Sequence, residues 1–597
     1  MSNMNITKSK FMEFIRCNRY PALNNIYKRR NLDDALMDRY NDLLDSLQNI
    51  SEDVYEDDFL EPDLSHLRTM MPYFTQVEVL AAKKVMALFG GETIYGTKYG
   101  VQKLFLKDFN NFNLMCYVDI YNTSKKSINV IEAKATTSNK FMKLGYTEDK
   151  IRYNLFYLDE SDILRLEETR NRDLLKNKKY IKQRNKLFDR LDSAGVYVYD
   201  LAFQRFVIEG KTKDASYYLA VLNHEYVFDG KYINDEPQYT NDIIRFVDLS
   251  IITNELQDKI ENDINIVIKR IINDDESRVK LGKHCQLKKM RQCIYKDLCY
   301  DMFPEKNSIL MYLNKHHGFK DPDGIKHDYF DLIDEGYYTM EDIPDSWLTR
   351  KNNRIQRYVA QTKKIHLDER KIQAVIEIIQ YPIYHLDFES FPCPLPRFKG
   401  EKPYYQSLFQ FSLHIEKEPG ICDKQNDHYE FLASDSTDQR LELVKKLCEY
   451  IKDDNGSVMV YNEAFEKTRI KELAVMYPEY SEKLLLINSR LFDLLHVVKT
   501  NKNLFVDLGF DEERAKTVNY YHEDLSGSYS IKKVLPVFSD LTYKGMAVGN
   551  GMEAVYAYAG FKDLNKSELE VTRSNLKVYC QQDTWAMVEI LDKLRKL

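Results

Sequence analysis

Tyr381-Pro-Ile-Tyr-His-Leu-Asp387-Phe-Glu389-Ser-Phe391 reads as an apolar strand that ends on two acids. On an extended backbone, residues two apart project from the same face, so the Asp387 and Glu389 carboxylates enter one space. Held that close, they repel each other and lose hydration, an arrangement that calls for a cation. Chance supplies many Asp-x-Glu triplets in a chain with 30% charged residues. The weight of the reading therefore falls on two later segments.

The first, Tyr461-Asn-Glu-Ala-Phe-Glu466, follows the short apolar strand Gly456-Ser-Val-Met-Val-Tyr461 and leads into a helix. The second, Tyr579-Cys-Gln-Gln-Asp583, lies in a helix predicted from Leu576 to Leu594, where Tyr579 and Asp583 share a face. Strand acids, a strand-end Asn-x-x-Phe-acid and a helical Tyr-x-x-x-Asp, in that order, resemble the DnaQ-like exonucleases of the ribonuclease H fold. The resemblance runs from about Ile383 to the C-terminus. It implies that Asp387, Glu389, Glu466 and Asp583 hold two divalent ions, Mg2+ or Mn2+, and that Tyr579 orients the attacking water. Because Tyr579 stands four before Asp583 and Val578 five before it, the likeness is to the tyrosine branch. Glu466 departs from the family's usual Asp; Asp493, in Ser489-Arg-Leu-Phe-Asp493, is the reserve ligand. Gly527-Ser-Tyr-Ser-Ile-Lys-Lys533-Val-Leu-Pro536 falls where such enzymes place a helix that supports the site.

A second constellation lies upstream. Pro72 opens a helix predicted over Tyr73 to Leu88, stopped by Gly90-Gly91. Two strands follow, Phe112 to Tyr121 and Ile128 to Ala135, joined by the polar connector Asn122 to Ser127 as an antiparallel hairpin. Glu132 and Lys134 share a strand face and can meet Asp119 across that hairpin. Glu-x-Lys by itself is common on a solvated strand edge. With Asp119 and with Gln204, near the start of a helix at Tyr197-Val-Tyr-Asp-Leu-Ala-Phe-Gln204, it resembles the core of PD-(D/E)XK nucleases of the RecB type. The resemblance implies a divalent ion on Asp119 and Glu132, Lys134 steadying the developing phosphorane charge, and a further metal-facing acid, Glu78, on the preceding helix. Ile208 stands where those nucleases usually carry Tyr. Glu148 to Leu191 is predicted helical. Its basic half, Arg170 to Arg190, is either a solvated face or an arm that tracks phosphates.

Nine cysteines are present. Thr7 to Tyr20 reads as a capped amphipathic helix ending near Cys17, and Cys285, Cys293 and Cys299 cluster far downstream. One early Cys with three late ones resembles the iron–sulfur RecB-type nucleases, among them the nuclease domain of AddB and the CRISPR-associated adaptation exonucleases. There four thiolates bind a [4Fe–4S] cluster that clamps the N-terminus to the end of the domain. The same thiolates also suit zinc. The interval from Cys285 to Cys293 is longer than the family's. Cys116, Cys448 and Cys580 read as buried structural thiols.

At 597 residues the chain exceeds a single core. The expected architecture is mixed α/β: a PD-(D/E)XK nuclease domain with its Cys cluster over 1–302, a helical linker over 303–380 and a DnaQ-like domain over 381–597. Within the linker, Leu367 to Gln380 is predicted as an amphipathic helix; an acidic stretch, 31–63, is predicted as exposed helix and loop. The Pro-rich loop Pro392 to Gln406 is placed to gate substrate, with Arg397 and Lys399 meeting phosphate. No long charge-free apolar run and no signal-peptide pattern are seen, so the expected location is cytoplasmic. The net charge of −7 does not announce a nucleic-acid binder, although a local basic channel would suffice. The whole pairing resembles a bacterial family that joins a RecB-like half to a ribonuclease-H-like half. It implies a nuclease acting on DNA through two metal sites, in repair or in defence against foreign DNA. The alternatives are a nucleic-acid-binding scaffold with inactive sites and an RNA-processing exonuclease.

Overall fold

The computed structural model describes residues 4–29, 44, 64–96, 102–125, 127–209, 215–285, 292–314 and 318–597. The acidic stretch 31–63, apart from Leu44, a short segment about its end, and residues 286–291 between Cys285 and Cys293 lie outside the described residues. The chain is mixed α/β and divides into two compact units. The first runs from the N-terminal residues to Cys299 and includes Cys393–Tyr405; the second comprises Tyr300–Pro392 and Gln406–Leu597.

The first unit is built on a seven-stranded sheet in the spatial order Glu92–Tyr95, Ile120–Thr123, Ile128–Thr137, Ala215–Leu222, Ile244–Asp248, Ile163–Leu166, Phe156–Leu158. Both of its faces are buried, as strand periodicity shows directly. Tyr217, Leu219 and Val221 enter one apolar cluster, whereas Tyr218, Ala220 and Leu222 enter the other. The helix Gly195–Ile208 packs on the first side, and the helix Leu64–Phe89 contributes Val77, Ala81 and Val85 to the second. A three-stranded sheet joins Met4–Thr7, Phe112–Val118 and Lys103–Phe109.

Several expectations are corrected. The predicted strand Phe112 to Tyr121 is broken at Asp119. Its first part pairs with Met4–Thr7 and Lys103–Phe109, and only Ile120–Thr123 pairs with Ile128–Thr137. Glu148 to Leu191 is not a long helix. Left-handed backbone at Asp149 and Lys150 turns one hairpin, and Ile163–Leu166 joins the main sheet beside Ile244–Asp248, so burial of Ile163 and Leu164 overrides helix propensity. The α-helical part of that stretch is Lys178–Arg184. Arg184 is buried in an ion network with Glu168 and Glu255, while Arg170, Arg172, Lys178 and Lys179 are exposed. Pro72 lies inside its helix, which reaches back to Leu64 because Leu67 and Met70 are buried and anchor the turns before it. The N-terminal helix is two, Lys8–Phe14 and Tyr20–Tyr27, parted at Cys17. The Pro-rich loop is no free gate: Leu395 sits in the core, Phe228 N–H donates to Glu401 O at 2.9 Å, and Tyr239 Oη donates to Pro396 O at 2.8 Å.

The second unit carries a five-stranded sheet in the order His428–Leu432, Gln406–Glu416, Ile383–Pro392, Val458–Val460, Leu491–Asp493. Each of the first three strands is antiparallel to its neighbour, and the last two run parallel to Ile383–Pro392. Tyr384, Leu386 and Phe388 face an apolar cluster with Leu443, Leu447, Ile470 and Ile487. His385, Asp387 and Glu389 therefore face the opposite side. There lies the closing helix, Lys566–Leu594, ten residues longer at its start than predicted because Asn565 and Glu568 form a capping box. The helix predicted from Leu367 to Gln380 is shorter, Glu369–Ile376, capped by Asp368.

Candidate functional site

The face of Ile383–Pro392 that carries Asp387 and Glu389 is polar along the whole central sheet, and this polarity sets the closing helix in register. Thr584 Oγ1 lies 2.7 Å from Ser412 Oγ and 2.8 Å from His414 Nδ1, and Gln410 Nε2 donates to Leu576 O at 3.1 Å. Asp387 pairs with Ser412 in the ladder, so fixing Thr584 over Ser412 brings the helix face of Tyr579, Cys580 and Asp583 to Asp387. The ladder slips between Glu389 and Ser390, a bulge of the kind that re-aims a side chain beside a site. Donor atoms of Asp387, Glu389 and Cys580 all lie within 4.8 Å of one another, and the Cys580 thiol donates to Asp387 Oδ2 at 3.7 Å.

Glu466 enters from the first turn of Ala464–Met476 and is 4% exposed. Burial, then the nearby Asp387 carboxylate, pushes its carboxyl well above the usual range, and its Oε2 is buried without a hydrogen bond. Burial and the Asp583 carboxylate likewise raise Asp387, offset in part by the Cys580 hydrogen bond and the Lys532 ammonium. Asp493, in contrast, is spent on backbone. Its oxygens accept the N–H groups of Asn462 at 2.9 Å, Glu463 at 3.2 Å and Leu495 at 2.9 Å. It holds the turn at Asn462, whose φ is +71°, and so aims the helix that bears Glu466. Tyr579 is buried on the same helix face as Asp583, 6.2 Å from the Tyr543 ring, and Lys532 Nζ stands 5.8 Å over the Tyr579 ring. Lys532 and Tyr543 are not singled out by sequence, and Cys580 is read there only as a buried structural thiol. Lys532 lies inside the quoted helix segment, and only packing turns it to Asp387.

In the first unit, the ladder Ile120↔Ile131 continued by one step sets Asp119 opposite Glu132. Asp119 Oδ2 accepts the Ala133 N–H at 3.0 Å and Oδ1 accepts from Gln102 Nε2 at 2.9 Å. Glu132, 1% exposed, takes Gln204 Nε2 at 2.7 Å, Lys134 Nζ at 2.9 Å and, unforeseen, Lys8 Nζ at 2.7 Å. Lys8 Nζ also stands 3.5 Å from Asp200, on the helix that carries Gln204. Burial alone would raise Glu132, yet the Lys134 and Lys8 ammoniums and the Lys8 and Gln204 hydrogen bonds hold it well below the carboxylate range. Burial, Glu132 and Glu78 push Asp119 well up. Glu78 is itself buried on Leu64–Phe89, near enough for its charge to act on Asp119.

Cys17, Cys285, Cys293 and Cys299 line one pocket with Arg16, Tyr20 and His284. Cys293 N–H donates to Cys285 O at 3.0 Å, and Arg19 Nη1 donates to Cys299 Sγ at 3.3 Å. Burial, with the other thiols beside it, pushes Cys285 up to about 12.

The family model that matches this chain is a domain of unknown function, DUF2779, over residues 384–530. That stretch contains Asp387, Glu389, Glu466 and Asp493 and ends before the closing helix. Among curated proteins, an uncharacterised protein of Ureaplasma parvum, UU173, is 28% identical over 36% of this chain and 31% of its own length. The Mycoplasma genitalium protein MG366 is 29% identical over 35% of this chain and 31% of its own, and its Mycoplasma pneumoniae homologue 27% over 37% and 33%. The match thus spans about a third of the length of these relatives. Among the described residues, no helix is long and apolar enough to cross a membrane.

Proposed function

We propose that the chain is a divalent-metal-dependent nuclease that hydrolyses phosphodiesters of DNA, with its main site at the end of Ile383–Pro392. The observation that carries this reading is Glu466 Oε2, a buried carboxylate oxygen without a hydrogen bond, on a side chain near enough to feel the charge of Asp387, which itself feels Asp583 and groups with Glu389 and Cys580. Buried acids so placed are costly unless a cation joins them. The sheet order, two antiparallel pairings followed by two parallel strands, supports the ribonuclease-H-like assignment made from the motifs. Asp387, Glu389, Glu466 and Asp583 would hold Mg2+ or Mn2+, which supplies Lewis acidity and lowers the pKa of bound water. Tyr579 orients that water through its hydroxyl, and Lys532 offers positive charge to the phosphate oxygens.

In the first unit, Asp119, Glu132 and Glu78 would bind a metal beside Lys134 and Gln204. One observation favours a second reading of this cluster: Lys8 holds Glu132 Oε1 at 2.7 Å, so the group can serve as a buried ion network within a nucleic-acid-binding unit. The four cysteines suit a [4Fe–4S] cluster. The same four thiols, which line one pocket, also suit zinc.

The test is digestion of single-stranded and duplex DNA and of RNA by full-length protein, with Mg2+, Mn2+ or chelator. Asp387→Asn is expected to cut the rate by at least ~10²-fold, the scale of a lost electrostatic element. In the Asp387→Asn background, Lys134→Ala abolishes what activity remains if the first cluster is catalytic, while Asp119→Ala also removes its metal. Unchanged digestion by Asp387→Asn would overturn the main-site assignment, and RNA as the preferred substrate would move the reading to RNA processing.

A further inference from the structure

Cys580 was expected to be an inert core thiol. It is fully buried, yet it stands between Tyr579 and Asp583 on the closing helix and its Sγ is turned to Asp387. A metal bound by oxygen at roughly 2.0–2.2 Å and by sulfur at roughly 2.3 Å holds its donors roughly 3–4.5 Å apart. Asp387, Glu389 and Cys580 offer one donor atom each within 4.8 Å, close to that spacing before any ion draws them in. The set is not merely acidic, and a second observation points to a ligand: Glu466, on another helix, is 4% exposed, keeps a buried Oε2 without a hydrogen bond and lies near enough to Asp387 to feel its charge.

From this juxtaposition we infer that Cys580 is a metal ligand, and that the site selects a thiophilic divalent ion, Mn2+, Co2+ or Zn2+, over Mg2+. The inference rests on the metal-site reading proposed above and deepens it. A hard ion such as Mg2+ prefers oxygen donors in near-ideal octahedral geometry and gives up water reluctantly. A thiolate contributes little to it, whereas softer ions gain from sulfur. Binding is accompanied by loss of the Cys580 proton, because a coordinating thiol is deprotonated. That proton, now shared with Asp387, leaves to solvent. Metal uptake therefore releases at least one proton and tightens as pH rises.

The experiment uses full-length protein, its cysteine centre in the first unit loaded as isolated, titrated with Co2+. Wild type is expected to develop a sulfur-to-cobalt charge-transfer band that is missing in Cys580→Ser and in Asp387→Asn. The cysteines of the first unit are common to all three proteins, so the difference spectrum isolates this site. Cys580→Ser should also bind Mn2+ about 10- to 100-fold more weakly, while its Mg2+ affinity changes little. Identical cobalt spectra and an unchanged Mn2+ to Mg2+ preference in Cys580→Ser overturn the inference, even where Mn2+-dependent digestion of DNA stands. A cobalt–sulfur band in a protein that digests no nucleic acid supports the ligand and overturns the nuclease reading instead.

Discussion

Glu466 and Asp493 divide a task that the sequence left open between them. Asp493 accepts three backbone N–H groups, so it aims the helix that bears Glu466, and its charge helps raise that carboxyl. Glu466 keeps a buried oxygen without a hydrogen bond, which suits the proposed metal. Glu466→Asp, which restores the residue usual in the resembling family, should therefore preserve or raise Mn2+-dependent digestion, while Glu466→Gln should lower it by ~10²-fold or more. Equal rates for all three proteins would remove Glu466 from the site. Tyr579→Phe should slow the reaction without eliminating metal binding, which calorimetric titration of Mn2+ would read. Lys8 is the matching surprise in the first unit. Because Glu132 would lose one of its two ammoniums, Lys8→Ala should destabilise that unit by about 3 kcal/mol in metal-free protein, seen as a lower urea midpoint.

At the scale of elements, the closing helix is docked through polar groups, and this gives it a pH dependence. His414 is buried between Thr584 and Lys424 O, with the His428 ring 4.7 Å away. Burial, then His428, lowers its pKa from 6.5 to about 3. Between these values the unfolded chain binds a proton that the folded chain refuses, so stability falls as pH drops from 6.5 toward 3. The slope from this one group approaches about 1.4 kcal/mol per pH unit. Urea midpoints measured from pH 7 downward should show it, and His414→Gln should flatten the curve by about one proton. Thr584→Val, which leaves Ser412 and His414 short of a partner, should cost about 1–3 kcal/mol and weaken metal binding as Asp583 loses its register. A stability loss with unaltered metal affinity would show that other contacts place Asp583.

At the scale of the whole molecule, the first unit closes on itself through cysteines far apart in sequence. Cys17 lies between the two N-terminal helices, and Arg19 of the same turn reaches Cys299. A metal centre held there, as proposed, would join the two ends of the unit, and its binding free energy would be folding free energy. Cys293→Ser should bleach anaerobically purified protein of its iron and sulfide and lower the thermal transition of the first unit. Asp387→Asn should leave iron content unchanged. Colourless wild-type protein with stoichiometric zinc would replace the cluster while keeping the four ligands.

Periodicity and spacing marked the strand acids, the Tyr-x-x-x-Asp helix and the Glu-x-Lys strand, whereas their joint weight and the grouping of Cys17 with the three late cysteines came from family resemblance. Periodicity misled where burial outweighed propensity. Glu148 to Leu191 looks helical by composition, yet Ile163 and Leu164 are drawn into the sheet, and Asp119 breaks a strand that reads as continuous. Beyond the pairs that share a strand face or a hairpin, which groups meet was not legible in the sequence. Lys8 lies 124 residues from Glu132, and Cys580 lies 193 from Asp387. Nothing in either local pattern differs from a solvated lysine or a core thiol. Their roles are decided by the register of a helix on a sheet, which the buried hydrogen bonds of Thr584 and the packing of the N-terminal strand determine only once the chain has folded.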